Sequence, residues 1–175
     1  QADWRGMEAI AHKRRWELTP LMIAPPATGI EVAALELRHS VKVPPQLRQL
    51  LVGYSSRINF GWRVPQHLRP LQRVEHLYPT DGGIRDHIWS IEFINEHAIP
   101  NFAAWKRDLA DRDLAEATNK PEYWENQFAF GYLMNGDMLT IDVSKPEGSQ
   151  QPVRYLSHEV EGLHGFELAP DFFTF

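Results

Sequence analysis

The pattern that most narrows the choice of fold lies between Gln127 and Tyr155. Phe128, Phe130, Tyr132 and Met134 occupy alternate positions, Asn135-Gly136 follows, and Leu139, Ile141 and Val143 then alternate again. Successive side chains on a strand point to opposite faces, so each run places its large apolar residues on one side. Asn-Gly is a favoured pair for a two-residue hairpin, because both positions tolerate positive φ. Lys145–Gln151 reads as a polar loop, and Val153 and Tyr155 alternate on a third strand. The expectation is an antiparallel β-meander with one face packed under helices, which is an α+β fold.

The N-terminal part supplies the helices. Met7, Ile10 and Ala11 recur at helical spacing, with Asp3 as a candidate cap, and Pro20, Pro25 and Pro26 interrupt that pattern. Thr28 followed by Glu31 forms a capping box for the next helix. Within it Ile30, Ala33, Ala34 and Leu37 form an i, i+3, i+4, i+7 stripe, read as a core face. Pro45 suits the first turn of a third helix, where Leu47, Leu50, Leu51 and Tyr54 repeat the spacing. Ile58, Phe60 and Trp62 alternate as a strand. Residues 63–84 read as a loop holding Arg63, Arg69, Arg73 and the turn signal Asp81-Gly82-Gly83. A further helix is expected over Asn101–Arg112 with Phe102, Trp105 and Leu109 on one face. Residues 108–125 read as an exposed acidic connection, and Ala169–Phe175 as the start of a last helix with Asp171 in its first turn. Residues 1–175 read as a single domain, with 1–27 an N-terminal helical extension.

Composition removes whole classes of function. The chain of 175 residues has no cysteine, which excludes thiol catalysis, zinc–thiolate sites and disulfides. No apolar run approaches the roughly 20 residues of a membrane helix, and no signal peptide is visible, so the expected location is the cytoplasm. The net charge is −5 and is unevenly placed. Residues 1–88 hold 12 Lys/Arg against 8 Asp/Glu, and residues 89–175 hold 6 against 15. A net-acidic chain binds nucleic acid poorly, because phosphate contacts need clustered cations, and it suits a basic partner better.

A search for chemistry finds no phosphate loop, no dinucleotide fingerprint and no nucleophile elbow. His158, Glu159 and His164 are the best metal trio, but the histidines are six apart with Gly162 between them, where a zinc helix needs four. Asp137 and Asp142, five apart on one strand, point to opposite faces and so make a poor acid–base pair. His87 and His97 lack partners in the pattern. The six tryptophans are Trp4, Trp16, Trp62, Trp89, Trp105 and Trp124. Trp62 and Trp105 lie on apolar faces and read as core. Trp124, close to Glu122 and Glu125, reads as nearer the surface. No catalytic residue, metal or cofactor is expected.

Several stretches are familiar in their order. They are Val41-Lys42-Val43-Pro44-Pro45 with Leu47 and Leu50-Leu51; Ile58-Asn59-Phe60; Asn101-Phe102 with Trp105; Trp124-Glu125-Asn126; Asn135 through Asp142; Pro152-Val153 with Tyr155-Leu156-Ser157-His158-Glu159; and Leu168-Ala169-Pro170-Asp171-Phe172. The chain resembles the SUKH superfamily of SMI/KNR type from about residue 28 onward. That group unites fungal cell-wall-assembly regulators with bacterial toxin-immunity proteins. Val43 stands where the family pattern has leucine, and the basic 63–84 loop matches no family motif. The resemblance implies an α+β fold without enzymatic activity. It implies a bacterial immunity protein that binds a cognate toxin or, alternatively, a scaffold or regulator of cell-wall synthesis or signalling. Together with the acidic C-terminal half, it makes Glu92, Glu96, Asp108, Asp111, Asp113, Glu116, Glu122 and Glu125 the expected partner contacts, with Trp124 as anchor. No contact with nucleic acid or membrane is expected.

Overall fold

The computed structural model describes residues 2–63, 65, 67–68, 87–111, 124–133, 136–146, 149–157 and 163–175. The chain divides into two compact units, one of residues 1–24 with 57–88 and the other of 25–56 with 89–175.

The first unit holds helix α1 (Ala2–Arg14), β1 (Glu17–Ile23), β2 (Arg57–Arg63) and the first two residues of β3 (His87–Ser90), and the three strands form one sheet in that order. Asp3, the expected cap, lies within α1. The last turn of α1 carries His12, Lys13 and Arg14, which complement the negative end of the helix dipole. Arg15 then adopts a left-handed φ of 57° and ends the helix. A helical extension is expected over residues 1–27, but residues 17–23 form a strand. They pair antiparallel with β2, from Glu17↔Arg63 to Ile23↔Ile58. The register slips between Thr19 and Met22, which brackets Pro20. Proline has no N–H to give to a ladder, so an edge strand with an irregularity is where it can sit. The expected strand at Ile58–Trp62 is present. Of the expected loop, Arg69, Arg73 and Asp81-Gly82-Gly83 lie outside the described residues.

The second unit begins with α2 (Gly29–His39) and α3 (Pro45–Gly53). The capping box of α2 is complete. Thr28 Oγ1 accepts from the Glu31 N–H at 3.2 Å, and Glu31 Oε2 accepts from the Thr28 N–H at 2.7 Å. Ser40, left-handed at φ 54°, closes the other end. Pro45 occupies the first turn of α3, and Leu47 and Leu51 face inward. The next helical run starts at Ile91, earlier than expected, and is capped by the Ser90 hydroxyl, which accepts from the Phe93 N–H at 2.8 Å. It comprises α4 (Ile91–Phe93), a π-turn (Ile94–Ala98) and α5 (Ile99–Asp111). The widened turn carries the chain past Pro100, which cannot donate the usual helical bond. The Asn101 side-chain amide donates to the His97 carbonyl at 2.8 Å.

A four-stranded antiparallel meander follows, β4 (Gln127–Tyr132), β5 (Met138–Asp142), β6 (Val153–Leu156) and β7 (Phe166–Ala169), in sequential order. The expected hairpin is present, but Met134 and Asn135 lie outside the described residues. The Leu133 N–H donates to the Asp137 carbonyl and the Gly136 N–H to the Leu133 carbonyl, with Gly136 at φ 91°. Those bonds bracket a three-residue connection with a left-handed glycine at its end, one residue longer than the expected two-residue turn. A bulge at Phe130 separates Ala129↔Thr140 from Gly131↔Leu139. There Leu139 approaches Gly131 so closely that a β-carbon would lie 3.0 Å from the Leu139 Cβ.

Both faces of this meander are covered, not one. Phe128, Phe130, Leu139, Ile141 and Val153 pack with Val32 and Leu35 of α2 and Leu47 and Leu51 of α3. On the opposite face Ala129, Met138 and Leu156 pack with Ala98, Phe102 and Trp124. The chain end is not a helix. Ala169 completes β7, and a turn then returns Phe172 against Phe130 at 5.3 Å, edge to face. Gln46 Oε1 accepts from the Phe172 N–H at 2.8 Å and so ties that turn to α3.

Candidate functional site

The α4–α5 run positions three of the expected acidic contacts. Glu92 on α4, Glu96 in the π-turn and Asp108 on α5 are all exposed. Glu96 Oε1 meets Arg38 Nη1 of α2 at 3.4 Å, with both side chains more than half exposed. A pair of that kind contributes about 0–1 kcal/mol, so exchanging it for a partner's cation costs little. Lys106 and Arg107 are exposed on the same run and dilute its negative charge. Asp111 ends α5. Asp113, Glu116 and Glu122 lie outside the described residues. Glu125 is exposed beside Trp124.

Trp124 is a correction. It is 6% exposed and belongs to the core beneath the meander, not to the surface. Its ring stacks on Phe102 at 5.8 Å and lies 5.7 Å from Trp105 and 4.9 Å from His164. The neighbouring glutamates suggested exposure, but the turn at Glu125-Asn126, with Asn126 at φ 51°, lets the indole enter the core while Glu125 stays outside. A buried indole delivers a large apolar burial, and here four rings share it.

Among the described residues of the second unit, Asp137, Asp142, Arg154, Tyr155 and Glu36 are engaged in holding the fold. Tyr155 donates to Asp137, while Arg154 Nε meets Asp142 at 3.1 Å and Arg154 Nη1 donates to the Gly165 carbonyl at 3.1 Å. Tyr155 and Arg154 are adjacent on β6 and face opposite ways, so the two aspartates are kept apart, as their odd spacing requires. Burial pushes the Asp142 carboxyl up, but hydrogen bonds from Ser144 and the Arg154 guanidinium outweigh it and leave the group below its ordinary range. That suits a permanent anion and not a general acid. Glu36 has the same character. Burial raises it, yet the Val43 N–H at 3.0 Å, Arg48 at 2.7 Å and the Lys42 charge bring its carboxyl below the ordinary range.

Of the metal trio, His158 and Glu159 lie outside the described residues. His164 is buried with Nδ1 2.9 Å from the Ser157 carbonyl and its ring against Trp124. Among the described residues no three histidine or carboxylate groups are gathered to hold a metal, and no helix is long and apolar enough to cross a membrane.

The surface feature that sequence reasoning missed is on α2. Val32 and Leu35 face the core, at 0% and 3% exposure, while the expected core stripe points outward. Ile30 is 82% and Leu37 83% exposed, and Ala33 and Ala34 between them are exposed as well. Two polar residues fix that rotation. Glu36 is tied to the α3 side by Val43 and Arg48, and His39 Nε2 lies 2.9 Å from Asn95 Oδ1. Val32, Leu35, Glu36 and His39 share the face opposite the stripe, so the helix carries apolar residues on two sides and its spacing alone does not choose between them.

Residues 26–175 match the model of the SMI1 / KNR4 family (SUKH-1). No curated protein and no solved structure matches the chain.

Proposed function

The chain belongs to the SMI1 / KNR4 family (SUKH-1), and from that premise we propose that it is an immunity-type protein that binds and neutralises a cognate bacterial toxin in the cytoplasm. Family membership is the observation that carries the reading. Glu36, Asp137 and Asp142 are each held by hydrogen bonds within the fold, and we read the chain as a binder without catalytic activity. The exposed carboxylates of Glu92, Glu96, Asp108 and Glu125, continued by Asp111, Asp113, Glu116 and Glu122 in the sequence, supply the contacts. They occupy a basic surface on the toxin, steer its approach and occlude its substrate. No nucleic acid, membrane or cofactor takes part. Trp124 serves this surface from below, as the packing that holds the end of β4.

The test is capture of partners by the purified chain at low and moderate salt. One tight partner carrying a toxin domain, weakened as salt rises, is the expected result. Reversing Glu92, Glu96 and Asp108 to lysine should slow its association. Unchanged binding after those reversals would remove the acidic surface. Recovery of cell-wall or kinase components instead would replace the immunity reading with that of a scaffold or regulator.

A further inference from the structure

The outward face of α2 has a symmetry that the proposed function does not use. Ile30, Ala33, Ala34 and Leu37 read the same from either end, with a large residue at each extremity and two small ones in the middle. All four are exposed. Beside the stripe, Glu31 stands near the N-terminal end and Arg38 near the C-terminal end. At about 100° per residue they lie on the same flank.

From this geometry we infer that the α2 stripe is a self-association surface, and that its occupant is α2 of a second copy of the chain, packed antiparallel about a two-fold axis through Ala33 and Ala34. In that arrangement Ile30 meets Leu37 of the partner subunit, and Leu37 meets Ile30 of the partner subunit. The contact is isologous, as a two-fold axis requires. The paired alanines let the helix axes approach to the short end of the usual 8–10 Å spacing. Reversing the direction of the second helix also brings Glu31 beside Arg38 of the partner subunit, so charge complements charge at both ends. Neither group must abandon its present role. Glu31 uses Oε2 for the cap and Arg38 uses Nη1 for Glu96, and a guanidinium carries five N–H donors. In a parallel pair the two flanks would fall on opposite sides of the seam, with Glu31 level with Glu31 and no Arg38 beside either of them. An 11-residue helix spans only about 16 Å, so the association is concentration-dependent and falls at the small end of specific interfaces.

Sedimentation of the full chain over a rising concentration series tests this. The weight-average mass should climb from 20.2 kDa toward twice that value. Leu37→Glu, at a site too exposed to harm the fold, should hold it at the monomer value throughout. The absence of cysteine makes the geometry testable too. Ala34→Cys should form a disulfide-linked dimer under mild oxidation, while Ser149→Cys on an exposed loop should not. Ile30→Cys and Leu37→Cys should cross-link well only when mixed with each other. A chain that stays monomeric at every concentration overturns the inference. So does a Leu37→Glu variant that still dimerises, or Ile30→Cys and Leu37→Cys variants that each cross-link with themselves in preference to each other. If Leu37→Glu abolishes capture of a toxin while the wild-type chain stays monomeric, the stripe belongs to that partner and the self-association reading is equally lost. Failure of toxin capture with dimerisation intact would instead strike only the proposed function.

Discussion

The two sheets of this protein use burial in opposite ways. In the four-stranded meander, β5 is buried from Met138 through Ile141, with α2 and α3 over one face and α5 with Trp124 over the other. In the three-stranded sheet, the edge strand β1 leaves Leu21, Met22 and Ile23 exposed at 36%, 51% and 61%. It also carries Pro20 at a slip in register. A strand held from both faces must keep its spacing and its side-chain volumes. A strand held mainly by pairing with one neighbour has neither constraint. Stability in this chain should therefore concentrate in the meander.

The most severe way to probe that contrast is Phe130→Ala. The side chain is fully buried, sits on the bulge and meets Phe172 edge to face. Truncating such a phenylalanine should cost about 3–5 kcal/mol, measured by denaturant unfolding. A loss under about 1 kcal/mol would mean that the meander is not the stable centre. Arg154→Ala comes next. It strips Asp142 of its cationic partner in a site where both side chains are less than one-fifth exposed, leaving the Ser144 bond, and should cost about 1–3 kcal/mol. Because the folded-state pKa of Asp142 is depressed, that contribution is complete above the ordinary aspartate value of 3.8 and is lost as pH falls through the lower folded value. Glu36 behaves alike from its ordinary value of 4.5 downward. An acid titration of stability should therefore show a shallower decline in Arg154→Ala than in the wild-type chain. An identical slope would mean that the pair contributes nothing to acid sensitivity.

Two smaller effects sharpen the comparison. Thr28→Ala removes the capping box of α2 and should cost about 1 kcal/mol, with hydrogen exchange rising first at the start of that helix. Met22→Ala on β1 should fall within about 0.5 kcal/mol of wild type. A cost approaching that of Phe130→Ala would show that β1 is as tightly held as the meander, and would erase the difference between the sheets.

What could be read from the residues follows the same division. The helices α2 and α3, the hairpin of β4 and β5 and the strand β2 all announce themselves through capping, proline placement or alternation. The strand β1 does not, because proline reads as an interruption and an edge strand needs no alternation. The strands β3 and β7 are four residues each, too short to show a period. The early start of α4 was hidden by Pro100, which the π-turn accommodates. Among the candidate contacts, the exposure of Glu92, Glu96, Asp108 and Glu125 agrees with their charge. The position of Trp124 does not agree with its glutamate neighbours, because one residue at a turn can reverse direction.

By itself the sequence determined the class of fold, the capping box of α2, the proline start of α3, the hairpin and the family, for each depends on local spacing and backbone preference. Only the tertiary structure decided which side of α2 faces the core. The helix carries apolar residues on two faces, and local pattern weighs them equally. The choice rests on where Glu36 finds Val43 and Arg48 and where His39 finds Asn95. These contacts join α2 to residues beyond its own end, and no helical period can express them.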